Sequence, residues 1–169
     1  MGRYTYKLKT IQIKISEPPE KNIKIGSSEA AAKLLYTIYN GLDDDQEHFV
    51  VLFLNAKNCI TGFKVLFSGS QTGSLIDTRI IFRNAILFGA TAVILSHNHP
   101  SGDLEPSNED ISITKKCIEV GKLLDVQVLD HIIISQTGWF SFREKMNDIF
   151  LVPKVPVPSP LVDLMNTLW

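Results

Sequence analysis

Cysteine is scarce in this chain. Cys59 and Cys117 are the only two in 169 residues, and they form no Cys-x-x-Cys. That argues against a zinc-finger spacing and against a small fold stapled by disulfides. Both thiols are expected to be reduced and buried, as in a cytoplasmic protein. Long apolar runs are also missing. Phe49–Leu54 is far shorter than the ~18–20 residues that a membrane span needs. The start shows no charged, apolar, small-residue order of a secretory signal, so no membrane partner is expected. Nor is there an excess of positive charge: the formal net charge is −1, whereas a protein built to grip phosphate backbones usually carries a basic balance. Internal repeats and heptads are absent. What remains is an ordinary globular composition, 44% hydrophobic and 21% charged, at a length that suits one buried core.

Charge and proline divide the chain into three parts. Residues 1–26 form a basic arm, with Arg3, Lys7, Lys9, Lys14, Lys21 and Lys24 against Glu17 and Glu20. Lysines keep an exposed edge soluble; weak nucleic-acid contact is the second use for such an arm. Within it, Ile11, Ile13 and Ile15 alternate with Gln12 and Lys14, which predicts an edge strand over Thr10–Ile15. Residues 27–149 read as the domain. Residues 150–169 form a proline-rich tail that ends in an amphipathic Leu161–Trp169. Nine residues hold no helix alone in water, so that end is expected to pack on the domain or on a second subunit in a homodimer.

Inside the domain the pattern predicts alternating helices and strands. Ser27 or Ser28 caps a helix to about Asn40, with Gly41 as its stop. Phe49–Leu54 and Cys59–Ser68 make an antiparallel hairpin across an Asn55–Asn58 turn, followed by a Gly69–Ser74 loop. Asp77 or Thr78 caps a helix to about Phe88, with Ile81, Ala85 and Phe88 inward and Gly89 beyond. Ala92–Leu95 is a short apolar strand suited to the centre of a sheet. Ser107 caps a helix to about Leu124, with Ile111, Ile118 and Leu123 as inward candidates. Val126–Ser135 and Trp139–Phe142 are paired strands, and Arg143–Ile149 is a short helix. The fold class is α+β, a mixed sheet flanked by helices.

The chemistry concentrates in VILSHNHPSGDLEPSNED, Val93–Asp110. His97 and His99 stand at i and i+2 where a strand ends, so they face one side. Asp110 would be the third position of the helix that Ser107 caps, where the helix dipole favours the ionised carboxylate. Two imidazoles and a carboxylate are a ligand set for catalytic zinc, which keeps a fourth position open. A second account of Ser107-x-x-Asp110 needs no metal, because the same spacing is a capping box. Asp103 is a rival carboxylate ligand, and Glu105 and Glu109 are candidate bases close to the histidines in sequence. Asp130-His131, inside an apolar strand, is a structural hydrogen-bonded pair or a support that orients a ligand. His48 reads as a strand-entry side chain, and Trp139 and Phe140 as packing aromatics.

His97-x-His99-Pro100 followed by Ser107-x-x-Asp110 resembles the signature of the JAMM (MPN) metalloproteases. The fuller string SHNHPSGDLEPSNEDISIT, with Val128-Leu129-Asp130-His131 and Glu47-His48-Phe49 ahead of the hairpin, is similar to the RadC-like branch of that family. The resemblance covers roughly residues 28–141. It implies a JAMM/MPN-like, cytidine-deaminase-like architecture. It implies Zn²⁺ on His97, His99 and Asp110, with Glu47 as the general base acting on a water and Ser107 donating its hydroxyl to the developing oxyanion. The reaction implied is hydrolysis of a peptide or isopeptide bond in a protein or peptide substrate. A short form is expected, without the helix-hairpin-helix region of longer RadC proteins. Two other readings stand beside this one. The first is a non-catalytic RadC-like module that binds nucleic acid or a protein in DNA repair or recombination of a bacterium or mobile element. The second is a structural zinc site completed by Cys117 or His131.

Overall fold

A computed structural model describes residues 23–69 and 76–151. The predicted strand over Thr10–Ile15, most of the Gly69–Ser74 loop and the tail after Leu151 lie outside the described residues. The elements run α1 (Ser28–Tyr39), β1 (Glu47–Leu54), β2 (Ile60–Gly69), α2 (Thr78–Leu87), β3 (Ala92–Asn98), α3 (Asn108–Leu123), β4 (Gln127–Ser135), β5 (Gly138–Ser141) and α4 (Phe142–Lys145), with a 3-10 turn over Asn147–Phe150. The strands form one mixed sheet in the order β2-β1-β3-β4-β5. Only β3 and β4 are parallel, joined through α3; every other neighbouring pair is antiparallel. This is the α+β class expected from the sequence.

The sheet is covered on both faces, which explains why β1 and β3 have no polar side in their apolar stretches. Phe49, Val51 and Phe53 of β1 join Val93 and Leu95 of β3 under α2 and α3, with Ile81, Phe82, Ala85, Cys117 and Ile118. Val50, Leu52 and Leu54 face the other way with Ile94, Ile132 and Ile134, and meet Ala31, Ala32 and Leu35 of α1. Period-two alternation in the strands therefore feeds two separate cores.

The helix ends follow their capping chemistry. The side chains of Ser27, Asp77 and Ser107 each accept an amide N–H from the first turn of α1, α2 and α3. Gly89 takes a φ of 59° just past α2, the left-handed position that glycine fills without a Cβ clash. Some details differ from the sequence reading. β3 runs three residues beyond Leu95, so His97 lies within the strand rather than in a loop. Leu123 is 84% exposed because Val120, Gly121 and Cys117 supply the inner face of that last turn. The Arg143–Ile149 helix is two pieces, α4 and the 3-10 turn, broken at Met146. α1 ends at Tyr39 with Asn40 as its C-cap, and Gly41 follows as part of a turn rather than as a left-handed cap.

Candidate metal centre

β3 ends where β1 begins, because the two strands are antiparallel neighbours. Their register pairs Phe49 with His97. Two residues back along β1, Glu47 shares the face of Phe49 and His97 and lines one cavity with His99. The chain continues from β3 through Pro100 and Gly102 into α3, which returns across this face. Asp110 is the N3 residue of that helix.

The result is a tight group. The metal-binding atoms of His97, His99 and Asp110 all lie within 4.8 Å of one another. His97 Nε2 is 2.9 Å from His99 Nε2 and 3.2 Å from Asp110 Oδ1; His99 Nε2 is 3.8 Å from Asp110 Oδ2. Tetrahedral zinc with bonds of about 2.0–2.1 Å holds its ligand atoms roughly 3.3 Å apart. His97 and Asp110 are buried, and His99 is half-buried. Cys117 and His131 are not among the converging atoms. Burial pushes the Cys117 thiol up to about 12, which keeps it protonated.

Each group is held from behind. His99 Nδ1 lies 2.8 Å from the Asp103 carbonyl oxygen, which can only accept. Nδ1 therefore carries a proton, and Nε2 is the nitrogen turned inward. Asp103 thus supports the site through its backbone, and its carboxylate instead accepts the Glu105 amide. Asp110 Oδ2 accepts the Ser107 amide at 2.8 Å and the Ser107 hydroxyl at 2.6 Å, while Ser107 Oγ accepts the Asp110 amide. The capping box is real, and it is compatible with a ligand role: it occupies Oδ2 and leaves Oδ1 for the group's centre. Burial would raise the Asp110 carboxyl, but the bond and charge at His97 and the Ser107 donors outweigh it. The net effect holds the acid below its ordinary value.

Glu47 is half-buried and lines an open cavity of about 920 Å³, together with His99, Ser107 and Asp110. Its backbone is fixed by Asn98, the residue between the two histidines. Asn98 Oδ1 accepts the His48 amide at 2.7 Å, and Asn98 Nδ2 donates to the Gln46 carbonyl at 2.8 Å. One side chain thus clamps the peptide groups on both sides of Glu47. Of the rival bases, Glu109 lines the same cavity and Glu105 does not. His48 points to the other face, between Ser68 Oγ and the Asp43 carbonyl.

The Asp130-His131 pair is divided between the two faces of the sheet. Val93 pairs with Val128 but Ile94 pairs with Asp130, so Leu129 is a bulge. A bulge re-aims the residues after it. Asp130 therefore faces α1 and accepts from Ser28 Oγ, Ser141 Oγ and the amides of His131 and Arg143. Burial pushes its carboxyl up, and those four donors draw it only part of the way back. His131 faces the metal group instead, 2.9 Å from His97 Nδ1. Sequence reasoning named this residue without finding its place, because nothing in Val128–Ile134 announces the extra residue.

Residues 25–147 match the family model for the RadC-like JAB domain. The chain belongs to that family. Among curated relatives, a UPF0758 protein of Shouchella clausii is 44% identical over 121 residues, 72% of this chain and 52% of that protein. A UPF0758 protein of Enterococcus faecalis is 41% identical over 122 residues, again 72% and 52%. One from Clostridium botulinum is 43% identical over 126 residues, 75% of this chain and 54% of that protein. This RadC-like domain chain therefore spans about half the length of the curated relatives it matches. Within it, His97, His99 and Asp110 form a group that could hold a metal ion.

Proposed function

We propose that this RadC-like domain is a zinc-dependent hydrolase that cuts an amide bond, peptide or isopeptide, in a protein or peptide substrate. The observation that carries the reading is the meeting of His97 Nε2, the inward-facing His99 Nε2 and Asp110 Oδ1 beside an open cavity. Two imidazole nitrogens at 2.9 Å beside an ionised carboxylate make a site that needs a positive centre, a shared proton or a metal ion. A divalent cation satisfies it, and the mixed imidazole and carboxylate set suits zinc. Such an ion, when bound, supplies Lewis acidity and makes water a competent nucleophile near neutral pH.

The chain's own residues supply the rest. Glu47, on the wall of the cavity that His99 also lines, takes the proton of the attacking water and returns it to the leaving nitrogen. Ser107 stands on the cavity wall with a hydroxyl that can turn from Asp110 Oδ2 toward the carbonyl oxygen of the substrate, while its amide keeps hold of Oδ2. An oxyanion donor of this kind is worth about 3 kcal/mol, on the order of a hundredfold or more in rate. The half-exposed Phe67, Ile76 and Ile113 give the cavity apolar walls for a side chain of the substrate. The reduced, buried Cys117 fits a cytoplasmic setting.

The test is metal content followed by turnover. Purified wild type should take up one zinc per chain. Glu47→Gln should retain that zinc and lose hydrolysis of peptide and isopeptide substrates that wild type cleaves. Unchanged turnover in Glu47→Gln would remove Glu47 from the mechanism, and failure to take up zinc would remove the reading altogether.

A further inference from the structure

Behind His97 lies a buried chain of polar atoms that the hydrolytic reading leaves without a task. Thr114 Oγ1 is 2.5 Å from the Asp110 carbonyl oxygen and 2.6 Å from His131 Nδ1. His131 Nε2 is 2.9 Å from His97 Nδ1. Thr114, His131 and His97 are all essentially inaccessible. Phe142 stacks on one face of the His131 ring at 4.9 Å, and Phe49 meets the ring edge-on at 5.7 Å. Water has no place in this chain, so its protons must be shared among these atoms.

The count has one solution that suits a ligand. Two oxygens at 2.5 Å need a proton between them, and the Asp110 carbonyl cannot provide it. The Thr114 hydroxyl therefore donates to that carbonyl. Its oxygen then accepts, so His131 Nδ1 carries a proton. In a neutral imidazole the other nitrogen is an acceptor, which makes His131 Nε2 accept from His97 Nδ1. His97 Nε2 is left as the nitrogen that faces His99 Nε2 and Asp110 Oδ1, where a bound cation would take its lone pair in place of a shared proton.

We infer that Thr114 and His131 are positioning residues that fix the tautomer of His97, so that its Nε2 is set as a metal donor. This rests on the proposal that His97, His99 and Asp110 hold zinc. It assigns to α3 a second task beside Asp110: the Asp110 carboxylate faces the ion while the Asp110 carbonyl, through Thr114 and His131, sets the proton on the opposing ligand. The Leu129 bulge is what brings His131 into line. Without it, His131 would face α1.

Thr114→Val keeps the shape of the side chain and removes the oxygen. His131 Nδ1–H then has no acceptor, the ring favours the tautomer protonated on Nε2, and the proton of His97 moves to the nitrogen that faces the metal. Zinc affinity, measured by competition with a chromophoric chelator, should fall about 10- to 100-fold, as when a partner that orients a metal-bound histidine is lost. Thr114→Ser retains the hydroxyl and should bind zinc as wild type does. Nitrogen-15 NMR of zinc-loaded wild type supplies the second measurement, independent of how the variants fold. It should show both His97 and His131 protonated on Nδ1. Equal affinity in Thr114→Val and Thr114→Ser, or a His131 protonated on Nε2 in the loaded wild type, would overturn the inference while leaving the zinc site standing. Wild type that takes up no zinc would overturn both.

Discussion

At the scale of single residues, two aspartates on opposite faces of the sheet do opposite work. Asp110 is kept ionised toward the cavity, whereas Asp130 is a buried acceptor for four donors between α1, β5 and α4. An asparagine at 130 offers one acceptor oxygen and an NH₂ group that faces donors. Asp130→Asn should therefore cost about 3 kcal/mol and lower the melting temperature by roughly 6 to 12 °C, while leaving zinc content unchanged; calorimetry with metal analysis reads both. The acid at 110 makes a prediction about pH. Its folded-state value is depressed, so its contribution to stability is present above the ordinary carboxylate range and is lost as pH falls through that range toward the folded value. In chelator-treated protein, wild type should lose more stability than Asp110→Asn between about pH 5 and pH 3, measured by urea unfolding. Parallel losses would place the stabilisation elsewhere. The sequence shows the site residues at this scale only in part. His97, His99 and Asp110 announce themselves by type and spacing, and the structure brings them together. Asn98 and Thr114 look like filler in a loop and a helix, because their partners are backbone groups and a histidine that only the fold supplies.

At the scale of elements, the site depends on β1 keeping its register beside β3. Asn98 is the clamp. Asn98→Ala should leave zinc uptake intact, increase hydrogen exchange at the His48 amide and reduce turnover about 10- to 100-fold, the effect of a displaced base. Unaltered exchange at His48 would contradict that role. The seat of α3 is a second control point. A Cβ at Gly121 would collide with the Val126 carbonyl and press on the Phe82 ring. Gly121→Ala should then cost about 1–3 kcal/mol through backbone displacement, read as a fall in melting temperature. Elements were well marked in the sequence where local chemistry sets them: Ser27, Asp77 and Ser107 cap helices, and Phe49–Leu54 is a strand buried on both faces. The failures lie where tertiary context decides. The Leu129 bulge cannot be read from an apolar run, and Leu123 keeps helical spacing yet falls on the solvent side of the last turn.

At the scale of the whole molecule, the two-sided core fixes the sheet, and the antiparallel β1–β3 pair brings two distant segments to one end of it. Among the described residues no helix is long and apolar enough to cross a membrane. The basic residues of the arm lie mostly outside the described residues, but Lys24 bridges to Cys59, and the Ile60 amide donates to the Ile23 carbonyl. Removing residues 1–22 should leave zinc stoichiometry unchanged. If the arm contacts nucleic acid, the same truncation will weaken DNA binding and flatten its dependence on salt. The absence of DNA binding by the intact chain at low salt would dismiss that alternative.

The proposed open zinc site of His97, His99 and Asp110 can be measured in the loaded protein. X-ray absorption at the zinc edge of the zinc-loaded protein tests it most directly. One zinc per chain is expected, bound by two imidazoles and oxygen ligands at about 2.0–2.1 Å and without sulfur, and lost in His97→Ala. A sulfur shell at about 2.3 Å, or no zinc uptake by wild type, would contradict it.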